Sequence, residues 1–193
     1  MLLSIILPAH KEPSAEFLMT LSYELPHAEI IVSRDRDRKG KGWAIREALK
    51  HCKGQYIAFL DSDGDIEPRM LQRLIPFIDD FDAVVGSKRI NHKHLKRRIV
   101  TLLSRIYIRF TFGIFVDTQT GIKIFRRSVL KDWITDGFFF DVEILESIKR
   151  SGASIVEVPI EAVISENIQK GAIWRTLKES LILKLRLLFH AKK

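Results

Sequence analysis

Residues 55–68 read QYIAFLDSDGDIEP. The run Tyr56-Ile57-Ala58-Phe59-Leu60 has the length and composition of a strand buried on both faces, as in parallel sheets, and it stops at Asp61, Asp63 and Asp65. In open α/β sheets the carboxyl edge of the strands is where ligands bind. Closely spaced carboxylate oxygens suit a hard divalent cation, Mg²⁺ or Mn²⁺, which can in turn hold a diphosphate. The competing reading is an acidic turn, since Ser62-Asp63-Gly64 would serve as one with no metal at all.

Outward from this stretch the chain keeps alternating strands and helices. Residues 3–7 predict a buried strand, followed by a loop from Pro8 to Pro13, with Ser14 capping a helix whose buried face holds Phe17, Leu18 and Leu21. A second strand over 28–32 completes a β-α-β opening, the signature of a parallel sheet. Residues 34–42 form a charged loop whose glycines and basic side chains could approach phosphates, although a solvated loop reads the same way. Helical spacing of Ala44, Ile45, Ala48, Leu49 and Cys52 follows, with Gly54 as its stop. After the aspartates, Pro68 opens a helix with Met70, Leu71, Leu74 and Phe77 inward, and 83–86 predicts a further strand.

The second half is more basic. Residues 91–112 interleave His, Lys and Arg with aliphatic and aromatic residues, so a basic amphipathic helix is expected, either lying on an anionic membrane or packed on the core with a solvated basic face. Asp117-Thr118-Gln119-Thr120-Gly121 is a polar turn before a strand over 122–125. Val129, Leu130 and Trp133 suggest one helix, and Val142, Ile144, Leu145 and Ile148 another. Residues 154–158 alternate as a strand near a sheet edge, ended by Pro159. The tail, 168–193, places Ile173, Leu177, Leu181, Leu185 and Leu188 on one helical face among lysines and arginines.

Over 193 residues the net charge is +8, which calls for an anionic partner. Basic residues alternating with aliphatic ones, with no aromatic platform, argue for a membrane surface and against nucleic acid. No run is long and apolar enough to span a bilayer, and the start lacks a basic leader, so a peripheral protein is expected. The lone Cys52 suits a reducing compartment.

Taken in order, Pro8 with Glu12, Gly40-Lys41-Gly42-Trp43-Ala44, Gly54-Gln55-Tyr56, Asp61-Ser62-Asp63 with Pro68, and Val85-Gly86-Ser87 resemble family 2 glycosyltransferases of the GT-A fold. Within that family they resemble the dolichyl-phosphate mannose and glucose synthases. Asp117 with Thr120-Gly121, Phe125-Arg126-Arg127, Phe139 with Glu143, and Glu157-Val158-Pro159-Ile160 continue the match over nearly the whole chain. The resemblance implies an α/β GT-A domain over 1–165 with a mostly parallel sheet, and a C-terminal amphipathic membrane-surface helix over 166–193. It implies transfer, with inversion, of a sugar from a GDP-mannose or UDP-glucose type donor to a polyprenyl phosphate, on the cytoplasmic face of the membrane.

By the same resemblance Pro8, Glu12, Lys41 and an aspartate after the second strand, Asp35 or Asp37, meet the donor. Asp61, Asp63 and Asp65 meet metal, diphosphate and sugar. Arg89, Arg97 and Arg98, with Ser104, hold the acceptor phosphate. A phosphate acceptor is already largely dianionic at neutral pH and needs no general base. A hydroxyl acceptor would need one, and Asp117 is the candidate. The second strand runs almost directly into the Gly-Lys-Gly segment, so the donor half is shorter than in most of the family. Two alternatives follow: the same fold acting on a glycan or lipid hydroxyl, and a lapsed enzyme serving as a nucleotide- or lipid-binding subunit.

Overall fold

The computed structural model describes residues 2–9, 11–88, 95–162 and 172–190. The first half runs β1 (Leu3–Ala9), α1 (Ala15–Glu24), β2 (Glu29–Arg34), α2 (Lys41–Leu49), β3 (Tyr56–Leu60), α3 (Met70–Leu74) and β4 (Ala83–Lys88). The second runs α4 (Leu95–Phe112), β5 (Ile122–Arg126), α5 (Phe140–Arg150), β6 (Ile155–Ile160) and α6 (Ala172–His190). The strands form one sheet in the order β2-β1-β3-β5-β4-β6, parallel throughout except for β5, which is antiparallel to β3 and β4.

Period-two alternation sends successive side chains to opposite faces, and helices cover both. Leu3, Ile5, Leu7, Ala58, Leu60 and Ile124 pack with Phe17 and Leu21 of α1 and with Leu71 and Leu74 of α3. Ile6, Ile57, Phe59, Val85 and Phe125 pack with Ile45 of α2, Leu145 and Ile148 of α5, and Leu183 of α6. Helix α1 starts where expected, because Ser14 is extended and its hydroxyl accepts from Phe17 N at 3.1 Å.

Several expectations are corrected. Strand β1 does not stop before Pro8 but continues through Pro8 and Ala9, which pair with Ser33 and Arg34. Pairing with β3 ends at Ile6, so the proline's missing N–H faces no partner on that side. Pro159 likewise lies inside β6, an edge strand. Phe77 sits on a single 3₁₀ turn and is 37% exposed rather than inward. No helix forms around Trp133: after one turn at Arg127–Val129 the segment to 138 is irregular, because its polar backbone groups find partners on α2 and α5.

In α4, Ile108 and Phe112 are buried, whereas Ile99, Leu102, Leu103, Ile106 and Phe110 are exposed. Helix α6 docks through Ser180 and Leu183, and Leu181 and Leu185 of the anticipated apolar stripe face outward. Tyr107 and Ser180 hydroxyls lie 2.5 Å apart, and Lys184 donates to Thr111 O at 2.7 Å, so α6 rests against α4. Among the described residues no helix is long and apolar enough to cross a membrane.

Candidate active site

The carboxyl ends of β1, β2 and β3 open into a cleft of about 510 Å³. Pro8, Glu12, Asp35, Lys41, Asp61 and Asp63 all line it, joined by Lys11, Ser62 and Phe138. Six of the residues singled out in the sequence thus come together at the sheet edge where an α/β fold places its ligands.

Lys41 and Asp61 are the centre of the arrangement. Lys41 enters from the first turn of α2 and its Nζ lies 2.5 Å from Asp61 Oδ1. Burial by itself would lower the Lys41 pKa, but Asp61, Asp141 and Asp63 together outweigh it and hold it above the usual lysine value. Lys41 is therefore a cation fixed beside the carboxylates. Asp61 is anchored from the other side, its N–H donating to Gly121 O at 2.8 Å. A Cβ on Gly121 would stand 2.1 Å from Asp61 Oδ2, which is why that turn ends in glycine.

The glycines flanking Lys41 serve protein rather than phosphate. Gly42 N and Trp43 N, donors of α2's first turn, go to Gly137 O and Asp136 O at 3.3 and 3.2 Å. A Cβ on Gly42 would meet Thr135 O at 2.4 Å, and Gly40 has φ +126°. The 134–138 segment is thus seated on the start of α2, tied further by Trp133 Nε1 to Gly42 O at 3.0 Å and by Arg46 to Trp133 O at 2.9 Å. Glu143 of α5 accepts Ile134 N and Thr135 N at 3.0 and 2.9 Å.

Of the two aspartates after β2, Asp35 lines the cleft and is buried, its oxygens accepting Lys39 N and Gly40 N at 2.8 and 2.7 Å. Asp37 is exposed and pairs with Lys39 at 3.3 Å. Glu12 pairs with Arg34 at the end of β2. Asp63 is exposed, and its Oδ1 accepts Asp65 N at 3.1 Å in a tight acidic turn.

Among the described residues no three His, Cys, Asp or Glu side chains converge as a ready cation cage. What the cleft does offer is two carboxylates, Asp61 and Asp63, on one wall. That donor set fits a small hard cation such as Mg²⁺ or Mn²⁺, which typically takes one or two carboxylates and completes its shell with substrate phosphates and water.

Asp117 lies apart from this cleft. Its Oδ2 is 2.6 Å from Arg105 of α4, its Oδ1 accepts Gln119 N at 3.1 Å, and its own N–H donates to Glu157 Oε2 at 2.7 Å. Gln119 Nε2 donates to Ser104 Oγ at 2.8 Å, so Ser104 belongs to the same polar cluster. Arg89 and the side chains of Arg97 and Arg98 lie outside the described residues.

Two buried charges behind the site were missed in the sequence. Lys123, 2% exposed in the middle of β5, pairs with Asp141 of α5 at 2.8 Å and donates to Thr120 O at 2.5 Å. Burial raises the Asp141 pKa, against the pull of Lys123 and Lys41. The signal was present: a lysine between Ile122 and Ile124 in an apolar strand demands a buried counter-ion. Phe138, which lines the cleft, carried no such signal.

Residues 20–134 match the model of glycosyl transferase family 2. A dolichyl-phosphate beta-glucosyltransferase of Saccharomyces cerevisiae is 29% identical over 162 residues, covering 72% of this chain and 48% of that protein. An undecaprenyl-phosphate mannosyltransferase of Micrococcus luteus is 28% identical over 128 residues, covering 59% and 53%. The chain thus spans about half the length of these relatives. In fold, it superposes with a TM-score of 0.72 on glucosyl-3-phosphoglycerate synthase of Mycobacterium tuberculosis, crystallised with Mn²⁺, UDP-glucose and phosphoglyceric acid. That likeness covers 94% of this chain and 79% of the other at 18% identity, and supports the GT-A architecture alone. The matched model, which takes in β2, α2, Lys41, the aspartate turn and Asp117, establishes that this chain belongs to glycosyl transferase family 2.

Proposed function

We propose that the protein transfers a sugar from a nucleotide-diphosphate donor, of the UDP-glucose or GDP-mannose type, to a polyprenyl phosphate at a membrane surface. The observation that carries this reading is the convergence of Pro8, Glu12, Asp35, Lys41, Asp61 and Asp63 on one cleft at the strands' carboxyl ends. Glu12 and Asp35 would meet the nucleoside, and Asp63 with Asp61 would hold Mg²⁺ or Mn²⁺. That cation supplies charge neutralisation for the departing diphosphate. Lys41, already cationic beside Asp61, orients that carboxylate and adds positive charge where the leaving group gathers electrons.

Asp117 favours a phosphate acceptor over a hydroxyl. It lies outside the cleft, with one oxygen 2.6 Å from the Arg105 guanidinium and the other accepting Gln119 N at 3.1 Å, so it is not placed to take a proton from a hydroxyl at the donor. A phosphate monoester dianion needs no base. The membrane surface is supported by the exposed aliphatic residues of α4 and α6 on a chain of net charge +8. We place the protein peripherally, on the cytoplasmic face.

The test is transfer of label from a panel of UDP- and GDP-sugars into the organic phase, with polyprenyl phosphate in anionic vesicles, in Mn²⁺ and in EDTA. Label that enters lipid only with metal is the expected result. Absence of label from every donor, in protein that still binds nucleotide, would overturn the proposal.

A further inference from the structure

Lys123 stands opposite Phe59 of β3 and Val85 of β4, both in the apolar core. Cross-strand neighbours share a face of the sheet, so the lysine occupies a place where an apolar side chain would pack. Taking an ion pair out of water is costly, and a well-packed apolar pair in its place is often neutral or stabilising. Folding alone therefore gives little reason for Lys123 and Asp141, and the contacts of the ammonium point to another.

Antiparallel pairing of β5 with β3 sets Ile122 opposite Leu60, so the turn that precedes β5 reaches the aspartates that follow β3. Lys123 Nζ donates to Thr120 O of that turn at 2.5 Å and lies 2.8 Å from Asp141 Oδ1 of α5. Thr120 is buried and its hydroxyl has no hydrogen-bond partner among the described residues, so its carbonyl, not its side chain, fastens it. The next carbonyl, Gly121 O, accepts Asp61 N, and the Gly121 Cα has no room for a Cβ beside Asp61 Oδ2. There is no slack between turn and carboxylate: a shift of the 120–121 backbone displaces Asp61. From the other side Asp61 meets Lys41, and the Asp141 charge attracts Lys41 as well as Lys123.

We infer that Lys123 and Asp141 are positioning residues for the cation-binding end of the cleft. Lys123 fixes the Thr120–Gly121 backbone against which Asp61 is set, and Asp141 holds Lys123 in place from α5. Neither residue lines the cleft. The inference rests on the glycosyl-transfer reading for what the cleft holds, and deepens it by naming what orients the Asp61 carboxylate. Outer partners of a cation's ligands fix their orientation, and losing one typically costs about 10–100-fold in metal affinity or activity.

The experiment uses the full chain as wild type, Lys123→Met/Asp141→Leu, and Leu183→Ala, a core truncation on α6. Mn²⁺ binding in the presence of UDP or GDP is titrated by electron paramagnetic resonance, which needs no turnover, and denaturant midpoints are measured beside it. The double variant removes both charges and should keep a midpoint close to wild type, yet bind Mn²⁺ with the nucleotide at least about tenfold more weakly. Leu183→Ala should bind Mn²⁺ as wild type does, despite a lower midpoint. Equal affinity in wild type and the double variant overturns the positioning role. An equal loss in Leu183→Ala overturns it too, because general loosening then accounts for the effect. If the double variant does not fold, Asp141→Asn decides: it keeps the side chain's shape without the charge that holds Lys123, and should also bind Mn²⁺ more weakly, wild-type affinity again overturning the role. The two readings fail separately. A wild type that binds Mn²⁺ with nucleotide but transfers no sugar removes the transfer reading, and the affinity difference still carries the positioning role. Transfer by wild type with unchanged Mn²⁺ affinity in the double variant removes the positioning role and keeps the transfer.

Discussion

Asp63 and Lys123 show two kinds of charged residue that a sequence presents alike. Asp63 is exposed at the cleft and makes one backbone contact, so replacing it leaves the core untouched. Asp63→Asn should abolish metal-stimulated transfer while the thermal midpoint stays within error of wild type; unchanged turnover would remove Asp63 from the site. Lys123 is the opposite case, buried and paired with Asp141. Lys123→Met leaves the Asp141 carboxylate without its partner and should cost about 3–5 kcal/mol of stability, read from denaturant midpoints. Lys123→Met/Asp141→Leu, which removes both charges, should recover most of that loss. If the double variant is no more stable than the single one, the pair is not the source of the effect. The Asp61 turn was legible because a run of apolar residues ending in carboxylates is a local pattern. Lys41's role was not, since its partner lies on another element.

Among the elements, α6 presents two different faces. Leu183 is 2% exposed and packs in the core with Ile108 and Phe112 of α4, whereas Leu181 is 60% exposed. Leu183→Ala should lower stability by about 2–5 kcal/mol, the range for truncating a buried leucine. Leu181→Glu with Leu185→Glu should leave stability near wild type and weaken flotation with anionic vesicles. Retained flotation in that variant would exclude α6 from membrane contact. The helical period announced α6 and the stripe that holds Leu181 and Leu185, both exposed, but not that Leu183, off that stripe, is the leucine that docks. Period alone locates an apolar stripe, and α6 carries aliphatic residues on more than one side, so docking against α4 made the choice. The same limit explains the segment around Trp133, where helical spacing was outweighed by hydrogen bonds to α2 and α5.

Across the whole molecule, the site and two anchoring clusters occupy opposite ends of the sheet. At the amino ends of β1 and β2, Ser4 Oγ donates to Glu29 at 2.5 Å and accepts Gly54 N at 2.8 Å. At the amino ends of β4 and β6, Asp82 accepts Ser154 N and Oγ, both at 2.9 Å. The Ser4 hydroxyl and Lys53 N–H hold the Glu29 pKa below its usual value, and the Ser154 N–H and hydroxyl do the same for Asp82. A depressed folded-state pKa contributes stability that is fully present above the unfolded values, about 4 for these groups, and is lost as pH falls through the folded ones. Denaturation midpoints should therefore drop below about pH 4, and Ser4→Ala/Ser154→Ala should show a shallower acid slope on a lower plateau. Parallel slopes would mean that other carboxylates govern acid unfolding. The sequence by itself determined the alternation of strands and helices, the position of the aspartate turn and the family, because each is written in patterns a few residues long that the backbone reads locally. Only the tertiary structure decided that Lys41 belongs to Asp61, that the Gly40 and Gly42 backbone serves the 134–138 segment, and that Lys123 needs Asp141. Those pairings join residues far apart in the chain, and close packing, which no local period encodes, sets which side chains meet.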